Sequence, residues 1–230
     1  MVGNTFLISL VPLLPLLGFL ILSLSGKKLS HGLASTIACG SVFASFILAI
    51  VLFSQLIGLP VEQRTITVTL LEWITAGDLS VGFSFLIDPL SSIFLLIITG
   101  VGFLIHLYSV GYMHDDAGFN KFFSYLNLFI FFMLILVLGS NYIVMFIGWE
   151  GVGLCSYLLI GFWFTNSNYA SAAKKAFVMN RIGDLGFLLG VFLLFNTFGS
   201  VEFAKIFPIN FSISSKRRND CDTCTPKFIP

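Results

Sequence analysis

Six apolar runs, each close to the length needed to cross a bilayer, constrain this chain more than any other feature. A helix rising about 1.5 Å per residue needs about 20 apolar residues to span the hydrocarbon core. Such runs fall at roughly residues 5–24, 33–59, 85–110, 122–138, 141–163 and 172–198. Hydrophobic residues make up 57% of the chain and charged residues 10%, with a mean hydropathy of +0.99. Soluble domains carry charge at about a quarter of their positions, so the pattern implies an all-α membrane protein of six transmembrane helices and not a soluble enzyme. The opening stretch MVGNTFLISLVPLLPLLGFLILSLSG has no basic n-region and is too long for a signal-peptide core. It is expected to be retained as the first span, kinked at Pro12 and Pro15, which membrane helices tolerate.

The connections differ in character. Gly139 to Asn141 make a short turn, whereas Pro60 to Asp88 form a longer polar insert. Within it RTITVTLLEW and LSVGFSFLI are rich in Thr, Val and Phe and flank TAGD, a pattern that predicts a two-stranded β-hairpin outside the membrane; an irregular loop is the alternative. The expected division is 1–59 for helices 1 and 2, 60–84 for the hairpin, 85–207 for helices 3 to 6, and 208–230 for a polar tail. Basic residues in short loops stay on the inner side of the membrane. Lys27, Lys28, Lys121, Lys174 and Lys175 fall on one side and Arg64 and Lys205 on the other, so the hairpin and N-terminus face outward. Lys216, Arg217 and Arg218 in the tail run against that bias.

Charges inside spans carry the most information, because each costs about 2.5–3.5 kcal/mol at the centre of a helix. Glu150 lies about 15 Å into span five, near the bilayer midplane. Desolvation favours the neutral form of a carboxyl and a nearby cation the charged form, so a buried Glu with a mobile cationic neighbour suits proton uptake and release. A structural Glu held by a helix-to-helix hydrogen bond is the bland alternative. Gly148, Gly151 and Gly153 around it permit close helix approach or a water-filled gap. On span six Arg181 and Asp184 share a face at i, i+3 spacing and can pair. Lys174 falls within about 20° of Arg181 at 100° per residue, making a charged stripe from the inner surface, though Lys174 and Lys175 also suit simple interfacial anchors. His106 near the inner end of span three fits either a proton relay or a packing role. Asp88, before Pro89, reads as a helix N-cap.

Other chemistries find little here. A net charge of +1, with no interleaved basic and aromatic stretch, argues against nucleic-acid binding. No Walker loop, GxGxxG, HExxH or nucleophile elbow occurs, so no catalytic or cofactor-binding centre is expected within the chain. Cys39 and Cys155 sit in apolar runs, and the CDTC of Cys221 and Cys224 would need outside partners to hold a metal.

Five ordered motifs, FSFLIDPLSSIF, HLYSVGYMHDD, FFSYLNLFIFFMLILVLGSNY, GWEGVGLCSYLLIGFW and AAKKAFVMNRIGDLGF, resemble the antiporter-like membrane subunit of proton-pumping NADH:quinone oxidoreductase, chain 5 in mitochondria and subunit L in bacteria. The resemblance covers the chain to about residue 207 and implies the N-terminal section of the antiporter-like fold. It implies a role in proton translocation coupled to electron transfer, in a bacterial plasma membrane or the mitochondrial inner membrane. NADH, flavin, iron–sulfur clusters and quinone are then expected in other subunits, which are the implied partners along with the lipid bilayer. Glu150 matches the family's intramembrane glutamate, whose partner there is a lysine on the following broken helix. Lys174 or Lys175, with Arg181 and Asp184, match charged residues flanking the input path, and His106 matches a supporting position. Family members are longer and continue into a broken seventh helix. The chain is therefore expected to be one piece of a split subunit, completed by a second polypeptide, or a truncated, non-transporting product. Multisubunit cation/proton antiporters share similar motifs and are the alternative family.

Overall fold

A computed structural model describes residues 2–25, 29–76 and 79–206. Lys27, Lys28, the Gly77–Asp78 part of the predicted turn, and the tail with Cys221 and Cys224 lie outside the described residues. The elements run α1 (Val2–Ser25), α2 (His31–Ile57), β1 (Ile66–Ala76), β2 (Leu79–Ile87), α3 (Pro89–Tyr112), α4 (Phe119–Leu138), α5 (Tyr142–Ile160), α6 (Ser167–Phe198) and the short α7 (Phe203–Ile206). Helices α1 to α6 are each long and apolar enough to cross a membrane.

Helix ends follow local chemistry. Ser30 caps α2 by accepting from the Leu33 N–H. Asp88 and Ser91 form a reciprocal capping box on α3 with Pro89 at its first position, as the sequence predicts. Gly199, at φ +68, ends α6 in the left-handed conformation that glycine adopts without a Cβ clash. Two boundaries move from their expected places. The third span begins at Pro89, not 85, because Phe85 and Ile87 are buried side chains of β2; an apolar run alone does not separate a strand from the helix that follows it. Helix α6 begins at Ser167, five residues before the apolar run, capped by Asn166.

The hairpin is present, antiparallel, with irregularities between Thr69 and Leu71 and between Glu72 and Ile74. It is tied to the α4–α5 turn. Ser140 donates its N–H to the Ser84 carbonyl at 3.1 Å and its hydroxyl to Ser84 Oγ at 2.8 Å, and Asn141 Nδ2 donates to the Gly82 carbonyl at 2.9 Å. The same turn reaches the segment after α6, through Tyr142 N–H to the Val201 carbonyl and Phe203 N–H to the Ser140 carbonyl, both 3.2 Å. Three connections thus meet at the hairpin end, as an even number of alternating spans requires.

Helices α1 to α4 form the packed block, with Val11, Val42, Leu95 and Leu134 fully buried. Polar groups inside it repair what the sequence breaks. Pro15 has no N–H to give the carbonyl four residues earlier, Val11, and the buried Ser45 hydroxyl of α2 donates to that oxygen at 2.8 Å. Gly18 leaves room for Ser41, whose hydroxyl donates to Asn127 Oδ1 at 3.0 Å and links α2 to α4. Helix α6 stands apart, leaning chiefly on α5 and exposing Val178, Met179, Ile182, Leu185, Leu189, Phe192 and Leu193.

Candidate functional site

Packing between α4 and α5 decides which way Glu150 faces. A Cβ on Gly148 would meet the backbone of Leu136, and one on Gly151 the ring of Phe132, so the glycine face of α5 is pressed on α4. Glu150, midway along α5, is turned toward α6, where Gly153 leaves space for Asn180.

There Arg181 Nη1 contacts Glu150 Oε2 and lies 3.7 Å from Asp184 Oδ2. The Asp184 side chain is 8% exposed, Glu150 23% and Arg181 47%. Phe177, one turn earlier on α6, places its ring 4.8 Å from the guanidinium carbon. Trp149 Nε1 donates to Asp184 Oδ1 at 2.7 Å, and its ring stacks with Phe187, which also stacks on Phe146. The result is a mid-membrane cluster of two carboxyls around one guanidinium, framed by aromatic rings.

The sequence pairs Arg181 with Asp184 and leaves Glu150 without its expected cation. The structure keeps the Arg181–Asp184 pair and adds to it, because Arg181 also reaches Glu150 across the α5–α6 interface. Trp149 and Phe177 were missed as members. Their positions, beside Glu150 and one turn before Arg181, were the available signal, but only helix packing brings them onto the charges. Lys174 lies nearer the lysine-rich end of α6, lining a cavity with Lys121, and Lys175 is exposed. His106 is elsewhere, 1% exposed in the α1–α4 block, with Nδ1 2.8 Å from the Gly102 carbonyl and its ring against Phe123. Its buried Nε2 has no hydrogen-bond partner among the described residues. Among those residues no group of three or more His, Cys, Asp or Glu is placed to hold a metal.

Residues 73–123 match the family model described as NADH-ubiquinone oxidoreductase (complex I), chain 5 N-terminus, and residues 139–221 match that of the NADH:quinone oxidoreductase/Mrp antiporter transmembrane region. It belongs to the chain 5 and subunit L family of antiporter-like membrane subunits. The second match runs on past residue 207, into the segment that the motifs left outside the family. NADH-quinone oxidoreductase subunit L of Mycobacterium tuberculosis is 47% identical over 194 residues, which is 84% of this chain and 30% of that protein. Subunit L of Escherichia coli K12 is 40% identical over 204 residues, 87% of this chain and 32% of that protein. NADH-ubiquinone oxidoreductase chain 5 of Rhizopus stolonifer is 44% identical over 198 residues, 85% of this chain and 30% of that protein. The chain thus spans about a third of the length of these subunit L and chain 5 relatives. In solved structures the fold matches a chain of the archaeal membrane-bound sulfane sulfur reductase at TM-score 0.74 and 19% identity, over 88% of this chain and 40% of that one. It also matches a chain of the Mrp complex from Dietzia sp. DQ12-45-1b at TM-score 0.67 and 24% identity, over 85% and 20%. Like its relatives in the family, this is a multi-pass integral membrane protein.

Proposed function

We propose that this chain helps carry protons across the membrane as part of a membrane subunit of NADH:quinone oxidoreductase, with Glu150, Arg181 and Asp184 as the group that takes up and releases the proton. The observation that carries this reading is the composition of the cluster. An arginine guanidinium stays protonated in proteins, so any proton exchanged here belongs to a carboxyl. With both acids ionised the cluster holds one negative charge more than Arg181 can offset, and binding one proton neutralises it. Near the midplane, where uncompensated charge is costly, that makes a one-proton step the natural change of state. The same guanidinium can shift its share between Glu150 and Asp184 as the proton comes and goes.

Lys174 and Lys175 mark the entry side, and His106, remote from the cluster, supports the block against which α5 is set. Electron transfer, with NADH, flavin, iron–sulfur clusters and quinone, is placed in other subunits of the complex. Further helices, in the same or a second polypeptide, cover the exposed face of α6. A cation/proton antiporter is the second reading, favoured by the shared family model and the fold likeness to the Mrp complex; the 40–47% identity to subunit L relatives favours the first.

The test is Glu150→Gln in the full-length subunit within its complex, with proton pumping and NADH oxidation measured in the same vesicles. Pumping is expected to fall by about tenfold, an energy of about 1.4 kcal/mol at the cluster. Undiminished pumping removes Glu150 from the path. Sodium-dependent transport without NADH oxidation would favour the antiporter.

A further inference from the structure

Basic side chains at the two ends of the molecule are used differently. At the hairpin end they are bound to protein: Arg64 donates Nε to the Leu59 carbonyl at 2.9 Å and Nη2 to the Ile57 carbonyl at 3.0 Å, closing the end of α2, and Lys205 pairs with Glu202 at 3.0 Å. At the opposite end, Lys121 of α4 and Lys174 of α6 have no carboxylate within ion-pair distance among the described residues. Both are exposed side chains lining one partly open cavity of about 180 Å³ between α4, α5, α6 and the α5–α6 turn, together with Tyr125, Tyr157 and Phe164, and no acidic residue lines it. Asp116, on the turn before α4, is already committed: Oδ1 accepts from the Gly118 N–H at 2.6 Å and Oδ2 from Trp163 Nε1 at 2.8 Å. Lys121 also borders an adjoining cavity of about 630 Å³ shared with His31 and Ser124.

The height of this cavity identifies what can enter it. Helix α6 has 32 residues, about 48 Å at 1.5 Å per residue, so it exceeds a hydrocarbon core of about 30 Å by more than three turns. Lys174 lies seven residues before Arg181, about 10 Å along the axis from the midplane cluster, so its long side chain can carry the ammonium to headgroup level, while Lys121 stands at the third residue of α4. Tyr125 and Tyr157 line the cavity, and Trp163 lies on the α5–α6 turn beside the lining residues Phe162 and Phe164, as in an interfacial aromatic belt. Lysines between transmembrane helices on the positively biased side are placed to bind acidic lipid headgroups.

We propose that Lys121 and Lys174 hold the phosphodiester of an anionic phospholipid from the lysine-side leaflet in the α4–α5–α6 cavity. Tyr125 and Tyr157 line the same cavity, and the Lys121 ammonium, 5.6 Å from the Tyr125 and Phe164 ring centroids, is already turned to the cavity side of α4. Leu158, Phe162 and Ala173 line the same cavity and give the first carbons of the acyl chains apolar contact, apart from the α6 face assigned to further helices. The site shares Lys174 with the proposed entry side but uses none of Glu150, Arg181 or Asp184, and lipid retention reads it separately from proton pumping.

The test compares the purified full chain with the Lys121→Gln/Lys174→Gln double variant in nanodiscs of phosphatidylcholine alone, of phosphatidylcholine with phosphatidylglycerol, and of phosphatidylcholine with inorganic phosphate added. Melting temperature and lipid retained in native mass spectrometry are the readouts, since a ligand that binds only the folded state raises its stability. Phosphatidylglycerol is expected to raise the melting temperature of the parent and to be retained roughly thirtyfold more strongly than by the double variant, about fivefold per lysine. Lys121→Arg/Lys174→Arg, which keeps both charges, is expected to retain the lipid. An equal gain in the Gln variant overturns the site, and a gain from inorganic phosphate alone overturns its assignment to lipid. If the double variant fails to fold, the two single variants are read by lipid retention, where undiminished retention in both overturns the proposal.

Discussion

Helices α5 and α6 each carry three glycines, with one intramembrane charge on α5 and two on α6, yet the structure uses those glycines in opposite ways. On α5, Gly148 and Gly151 are where α4 makes its closest approach. On α6, Gly183, Gly186 and Gly190 have nothing within 4 Å of where a Cβ would stand. The contrast separates glycine as a packing requirement from glycine on an open face. It also explains why the charges gather where they do: α5 is clamped on one side by α4, so Glu150 turns to α6, which among the described residues leaves room for it. Arg181, 47% exposed, sits on the border between the packed interface and the open face.

Substitutions can break this comparison at graded strengths. The largest effect is expected from Gly148→Ala, whose Cβ would collide with the Leu136 backbone, which has no side-chain rotation to relieve it; overpacking of this kind costs about 3 kcal/mol, read as a drop in the unfolding midpoint in detergent. A wild-type midpoint would mean that α4 and α5 do not approach this closely. Next comes Asn141→Ala. Its Oδ1 accepts from the Ile143 and Val144 N–H groups while Nδ2 donates to the Gly82 carbonyl, so one side chain caps α5 and holds the hairpin. A loss of about 2 kcal/mol is expected, above the roughly 1 kcal/mol of a cap alone. Faster amide exchange in β2 would show that the hairpin link was cut, and unchanged exchange there would reduce Asn141 to an ordinary cap. The smallest effect belongs to Gly186→Ala, expected within about 0.5 kcal/mol of the parent because the new methyl meets nothing. Should that variant instead impair assembly of the full complex while leaving the isolated chain as stable as before, the open face of α6 is a docking face there.

Much of the architecture was legible because membrane insertion leaves a strong one-dimensional signal. Six apolar runs, the Asp88–Pro89 helix start and the Thr- and Val-rich hairpin each depend on neighbours close in sequence, and each appears in the structure. The start of α3 was read four residues early because Phe85 and Ile87 are as apolar as the helix that follows. Within the site, Glu150, Arg181 and Asp184 were recognisable one by one, as charges too costly to leave in a span without purpose. Their grouping was not, since the Arg181–Asp184 pairing is local along one helix while Arg181–Glu150 spans two.

By itself the sequence determined the solvent, the number of spans and which charges fall within them, all of them consequences of transfer energies and hydrogen-bonding rules that act over a few residues. Only the tertiary structure decided that Arg181 serves Glu150, that Trp149 holds Asp184, that Ser45 supplies the hydrogen bond Pro15 withholds from Val11, and that Lys121 and Lys174 share a cavity. Those pairings depend on the rotation and offset of one helix against another. They are set by where side chains such as Leu136 and Phe132 let glycine faces close, and no single helix encodes that alone.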